Sequence, residues 1–432
     1  MRTATKLAGV AAVAVAALAL SACSSGSPQP AETSAAPHSV SLRMTTWTAN
    51  KDQLALFGKI ADAYKKTHPA IKSITFDSLP YEDYTSTLTT QIAGGSAPDL
   101  AWVLDTDATD FVKSGVLKPL TDSLKATKGY DYSDLNSSAT KLWTNDGQLY
   151  AYPFSTSPFV VFANDDLLKK AGEPTSAELQ SEGKWDLKDI AQVASDVNAK
   201  TGQGGLIVNN FNYDDWTLLS TIWNAWGAAP WSADGSQCTF TSKKMNKAFD
   251  FITDAISTNA MPGAGTNLNF FSGGSAFVIT QISSANLLPD AGFSWNMLPL
   301  PGLTSDAANH VIGQAGLGVV AKGKHVQEAE DFMAYFTNPS NSKKLAEYFP
   351  PPRTSLQNAT TLSATNPVLS KQQLNDVVIP SLKDAVTRPG HVNQSEIASE
   401  VKTALTPMWK SNPDVSSILK NVCSSVASSL AG

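Results

Sequence analysis

Residues 94–104 read Gly-Gly-Ser-Ala-Pro-Asp-Leu-Ala-Trp-Val-Leu, a turn-forming cluster followed at once by a short apolar run. Gly94 to Pro98 break whatever helix precedes them, and Asp99 to Leu104 then read as a buried strand. Upstream, Tyr81 to Ala93 reads as a helix and Ile71 to Phe76 as a strand. Before them, Asp52 to Lys66 places Leu54, Phe57, Ile60, Ala61 and Tyr64 at helical spacing, and Ser41 to Trp47 alternates as a strand does. Strand and helix therefore take turns three times, which predicts a parallel sheet with right-handed crossovers and so an α/β lobe.

Downstream the alternation restarts. A helix over Asp107 to Lys113 is followed by Asp146-Gly-Gln-Leu-Tyr-Ala-Tyr-Pro153 and by the apolar Phe159 to Phe162, which together read as a strand pair leaving one lobe for another. Helices at Asp165 to Ala171 and Leu187 to Lys200 lead to a strand at Gly205 to Val208. Further helices are expected at Lys243 to Thr258 and Val326 to Thr337, with strands at Ser294 to Pro299 and Gly313 to Val320. A length of 432 residues exceeds one ordinary core and agrees with two lobes.

Composition narrows the function. The net charge is −6 with 16% charged residues, which leaves no basic footprint for nucleic acid and suits a neutral ligand. Five His and three Cys are few for a metal cage, so neither a metal nor another cofactor is expected.

The N-terminus carries Arg2 and Lys6, an apolar run from Leu7 to Leu20, and then Leu20-Ser21-Ala22-Cys23. The run is too short for a permanent membrane span. The tetrapeptide resembles the lipobox of bacterial lipoproteins, which implies a signal peptide over 1–22 and a lipid-bearing Cys23. A Ser-, Pro- and Ala-rich tether over 23–39 would then hold the folded part at the extracytoplasmic face of the membrane. With Cys23 assigned to lipid, Cys238 and Cys423 remain in an oxidising compartment. They are either a disulfide fastening the C-terminal helix, roughly Val415 to Leu430, or two separate buried thiols.

Six aromatics, Phe211, Tyr213, Trp216, Trp223, Trp226 and Trp231, fall within 211–231, where the chain-wide 9% aromatic content would place roughly two. Aromatic faces stack on sugar rings and Tyr and Trp add a polar handle, so a saccharide cleft is one cause; a helix burying its aromatic face after a cap at Asp214 or Asp215 is the other. The stretch entering that helix, Asn209 to Trp216, is the better ligand candidate.

The ordered pieces resemble the extracellular solute-binding proteins of bacterial carbohydrate ABC importers, the family that includes maltose-binding protein. They are Gly94-Gly-Ser-Ala-Pro-Asp-Leu100, Gly115-Val-Leu-Lys-Pro-Leu120, Asp146 to Pro153, Asn164-Asp-Asp-Leu-Leu, Trp185-Asp-Leu, Phe271-Ser-Gly-Gly-Ser-Ala-Phe, Leu298-Pro-Leu-Pro and Glu328-Ala-Glu-Asp-Phe-Met. The resemblance implies a two-lobe periplasmic-binding-protein (Venus-flytrap) fold with hinge strands. Lobe 1 would take 40–150 plus 275–320, and lobe 2 151–274 plus 321–432. It also implies a monomer that closes on a carbohydrate and delivers it to ABC transporter permease subunits, touching the membrane only through its lipid.

Carried over position by position, it implies ligand contacts from Trp47, Asn50, Asp52, Asp105 and Thr106 on the first lobe. Phe211, Tyr213, Trp216 and Trp231 would face them from the second, with Arg353 in Pro-Pro-Pro-Arg as a further contact. Ser157 and Ser283 replace an acidic ligand and a stacking Trp of maltose-binding protein, which argues against maltodextrin itself.

Two rival classes stay open. A secreted glycan-acting enzyme would need paired carboxylates, for which Asp105, Asp214 and Asp215 are available. The Ser-x-x-Lys matches at Ser181 and Ser340 and the Lys200-Thr-Gly202 match lack the remaining motif and the right order, so they carry no chemistry. The other rival keeps the fold but binds a different solute, such as a polyamine.

Overall fold

The computed structural model describes residues 39–365 and 367–431; Cys23 and most of the tether lie outside them. Eleven strands occur among the described residues: Val40–Thr46 (β1), Ile71–Ser78 (β2), Leu100–Leu104 (β3), Thr144–Asn145 (β4), Gln148–Leu149 (β5), Ala151–Asn164 (β6), Gly204–Val208 (β7), Ser275–Gln281 (β8), Trp295–Leu298 (β9), Val311–Val319 (β10) and Val386–Thr387 (β11). All but the β4–β5 hairpin join one sheet whose main order is β2-β1-β3-β10-β6-β8-β7. β1 lies parallel to β2 and β3, and β7 parallel to β8, as crossover helices require, whereas β10 runs antiparallel to both β3 and β6.

β6 joins the halves. The sequence reads as two strands here, but one strand of 14 residues forms, every residue buried. Its first part, Ala151 to Pro158, pairs with β10, and its second, Phe159 to Ala163, pairs with β8. Around the first part lies one apolar core, which includes Leu42, Phe57, Trp102, Leu317 and Phe332. Around the second lies another, which includes Val161, Trp216, Trp223, Phe277 and Leu419. The opposite face of the second half-sheet is covered by residues 359–364 and 367–382, whose Leu362, Leu374 and Val378 share an apolar cluster with Phe162 and Val278.

The lobes therefore divide differently from the expectation of 275–320 in the first and 321–432 in the second. β8 belongs to the second lobe, because it extends the half-sheet begun by β7. The return crossing comes two strands later, at β10, after β9 has also paired with the second part of β6, and the helix Val326–Phe336 buries Ala329, Phe332 and Met333 in the first core.

The aromatic stretch is a broken helix, not one regular helix. Asp215 accepts from the backbone N–H of Thr217, and a 3-10 turn over Trp216–Leu219, one α-turn over Ser220–Trp223 and a second 3-10 turn follow. Cys238 and Cys423 are bonded, S–S 2.01 Å, and the bridge fastens the helix Val415–Ser425 to the second lobe.

Candidate ligand-binding cleft

Where β6 and β10 cross between the lobes, a cavity of about 120 Å³ has walls from both. The first lobe supplies aromatic faces. Trp47, at the end of β1, packs edge-on against Trp102 of β3 at 4.7 Å between ring centres, and Trp102 lies 4.4 Å from Phe154 of β6. Tyr81 and Phe349 complete that wall, while Gln281 and Ser283 come from the end of β8. Gly313 admits Gln281: a Cβ there would sit 1.6 Å from Gln281 Nε2.

Among the described residues, two buried polar atoms of residues that line these walls have no hydrogen-bond partner, the donor Trp102 Nε1 and the acceptor Gln314 Oε1. Leaving such a pair unmatched costs free energy that a hydroxyl able to accept from one and donate to the other would recover.

The cavity also holds a cation, Arg388, which lies just beyond β11 and was not among the residues expected from the sequence. Its guanidinium is already committed. Nη2 donates to Asp105 Oδ1 at 2.5 Å, Nε to Asp105 Oδ2 at 3.2 Å and Nη1 to Asp215 Oδ2 at 3.1 Å. Asp105 is fully buried and also accepts the backbone N–H groups of Thr106 and Gln314. Its carboxylate is thus an anchor for Arg388 rather than a free ligand group.

Asp107, two residues on, is buried with Thr85 Oγ1 donating to it at 2.5 Å, and burial pushes its carboxyl up to about 6. An acid raised on folding binds its proton more readily in the native state than unfolded. The stability it contributes is therefore complete below about pH 4 and is lost as the pH rises through about 6. Asp107→Asn, which keeps an acceptor for Thr85, should remove that part of the pH dependence and stabilise the chain at pH 7 by on the order of 2 kcal/mol. Denaturant unfolding of both proteins between pH 4 and 7 checks this; parallel curves would contradict it.

A second, larger cavity of about 520 Å³ opens beyond the ends of β7 and β8 on the second lobe. Its wall is rich in amides, with Asn209, Asn210, Asn212, Asn267 and Asn269, and it carries Tyr213 and Ser284. Ser284 follows Ser283 of the first cavity directly, so the two cavities adjoin. Asn210, Asn212 and Tyr213 all have positive φ, a backbone state that costs energy outside glycine and gathers at functional sites. The Tyr213 hydroxyl donates to the Pro262 carbonyl and burial pushes it up to about 12, while its ring packs on Phe211 and Trp409.

Of the residues expected to meet ligand, Trp47 lines the first cavity, and Phe211 and Tyr213 line the second. The others are placed elsewhere. Asn50 caps the helix Lys51–Thr67 and Asp52 is exposed in its first turn. Thr106 offers its carbonyl to the close approach of Gly390. Trp216 is buried, its Nε1 donating to Ala398 O, and it packs with Trp223 and Trp231. Trp231 is buried against Phe240 and His391.

Arg353 is also a correction: it is wholly enclosed in the first lobe, donating to the Asp131 and Thr337 carbonyls with its guanidinium over the Tyr130 ring. Trp102, Phe154, Gln314 and Arg388 were missed. Trp102 and Phe154 look like ordinary core in a strand, and Arg388 meets Asp105 across 283 positions of sequence, beyond any local pattern.

Comparisons with known proteins agree with this architecture. The lactose-binding protein of Rhizobium radiobacter is 23% identical over 303 residues, 66% of this chain and 68% of that protein. The sn-glycerol-3-phosphate-binding periplasmic protein of Escherichia coli K12 is 24% identical over 310 residues, 66% of this chain and 67% of that one. Among solved structures, the ABC substrate-binding protein Lmo0181 of Listeria monocytogenes in complex with cycloalternan superposes with a TM-score of 0.76. It is 20% identical, with 91% of this chain and 98% of that chain covered, so the two share the two-lobe fold. The model of the bacterial extracellular solute-binding protein family matches residues 59–369, and the chain belongs to that family.

Proposed function

We propose that this chain is the extracytoplasmic, lipid-anchored substrate-binding protein of an ABC importer, and that it holds a neutral mono- or oligosaccharide between its two lobes and passes it to the permease. The observation that carries this reading is the first cavity. Its aromatic faces suit sugar C–H groups, its unpaired Trp102 Nε1 and Gln314 Oε1 suit a hydroxyl, and both lobes supply walls. Ligand bridging the two lobes would favour the closed arrangement that a permease reads, which is a population shift and needs no catalytic group.

Charge separates the saccharide from the anionic solutes named among the relatives. Among the described residues, the cation on the wall of the first cavity is Arg388, and it is neutralised by Asp105 and Asp215, so a phosphate finds no free positive partner among them there. Both carboxylates are themselves committed to Arg388 and neither lines the cavity, so the ammonium groups of a polyamine find no free carboxylate partner among the described residues of its wall. The lipid anchor rests on Leu20 to Cys23.

Trp47→Ala tests the placement of the ligand. Losing a stacked ring should weaken saccharide binding by about ten- to a hundredfold, roughly 1 to 3 kcal/mol. Calorimetric titration of the folded variant reads this directly, and wild-type affinity in Trp47→Ala would exclude the first cavity as the binding site.

A further inference from the structure

The two adjoining cavities differ in size and in lining. The first, about 120 Å³, is smaller than the roughly 300 Å³ at which small-molecule pockets begin, and the second, about 520 Å³, falls inside their range. A solute seated on Trp47 therefore finds most of its room in the second cavity, past Ser283 and Ser284. None of the described residues lining that second cavity carries a charge, and five of them are asparagines. Two of these hold the wall together, Asn209 Nδ2 donating to Thr280 Oγ1 at 3.2 Å and Asn269 Oδ1 accepting from the Phe271 N–H at 2.9 Å. The other three, Asn210, Asn212 and Asn267, are exposed, and their side-chain amides bond to no described residue.

An amide presents a donor and an acceptor side by side, which matches the neighbouring hydroxyls of a sugar ring, where each oxygen both donates and accepts. The backbone around Asn210 and Asn212 is also fixed: both have positive φ, as does Tyr213, whose hydroxyl donates to the Pro262 carbonyl. Phe271 and Leu287 add apolar surface to the same wall for the C–H faces of a sugar. A single monosaccharide would leave one of the two linings unused. We infer that the solute is an oligosaccharide laid across both cavities, one unit on the aromatic wall around Trp47 and the next units on the amide wall of Asn210, Asn212 and Asn267. The inference rests on the saccharide reading and adds chain length to it.

The test is calorimetric titration of the purified chain with glucose, galactose, mannose and xylose, each as the single sugar and as its linear oligomers of two to four units. In the series that binds, affinity should rise by about tenfold or more from one unit to three. Asn210→Gly and Asn212→Gly remove two amides while keeping a residue that tolerates positive φ, and Asn267→Ala removes the third. The triple variant should cut the affinity for the longest bound oligomer by roughly ten- to a hundredfold, the scale of three lost hydrogen bonds, and so flatten the rise with length. Trp47→Ala, on the first wall, should instead weaken every length by a similar factor. A melting curve separates lost contacts from lost fold, and if the triple variant melts early, Asn267→Ala alone carries the test.

Single sugars that bind as tightly as their oligomers, or a folded variant that keeps the wild-type rise with length, overturn the inference and leave the saccharide reading in place. Binding to no member of any series overturns both.

Discussion

Arg388→Met is expected to destabilise the folded chain by about 3 to 5 kcal/mol, the scale for removing one partner of a buried ion pair. The cost arises at Asp105 more than at Arg388. With the guanidinium gone, a carboxylate with no solvent exposure keeps only the backbone N–H groups of Thr106 and Gln314 among its partners. Adding Asp105→Asn to Arg388→Met should recover most of the loss, since a neutral amide no longer needs a counter-charge. Denaturant unfolding of the two single variants and the double variant forms a cycle that isolates the pair. A double variant as unstable as the sum of the singles would show that the two residues act independently.

Trp223→Ala is the second large effect. Trp223 is buried, with the rings of Trp216, Phe240 and Phe249 each 6.2 Å away between centres. Truncating it leaves a large cavity in the second core and should cost about 3 to 5 kcal/mol. Saccharide affinity of the folded fraction should remain that of the wild type, because Trp223 lines neither cavity. Weak binding with unchanged stability would move Trp223 from the core to the cleft.

The contrast between Trp223 and Tyr213 shows what the sequence could convey. The excess of aromatics over 211–231 marked a real concentration, but Trp216, Trp223 and Trp231 spend it on the second core and only Phe211 and Tyr213 reach a cavity. Periodicity identifies a buried face and is silent on whether the buried neighbour is protein or ligand. The alternation around residues 94–104 was legible because each crossover is local, and β1, β2 and β3 form as the pattern requires.

Lobe membership of 275–336 was not legible, since β8 and β10 are both short apolar strands and only their pairing tells them apart. Local chemistry also concealed Asn50, whose helix cap looks the same in sequence as a ligand contact. The Arg353 and Arg388 environments are likewise indistinguishable in sequence, each an Arg near prolines. One is spent inside the first lobe and the other stands between lobes.

Calorimetric titration of the purified chain decides whether a neutral saccharide is the solute. A panel of neutral mono- and oligosaccharides is run beside sn-glycerol 3-phosphate and a polyamine. Saturable one-to-one binding of at least one neutral saccharide is expected, with no measurable heat from the phosphate ester or the polyamine at the same concentrations. Saturable binding of either charged solute with none of the saccharides bound would contradict it.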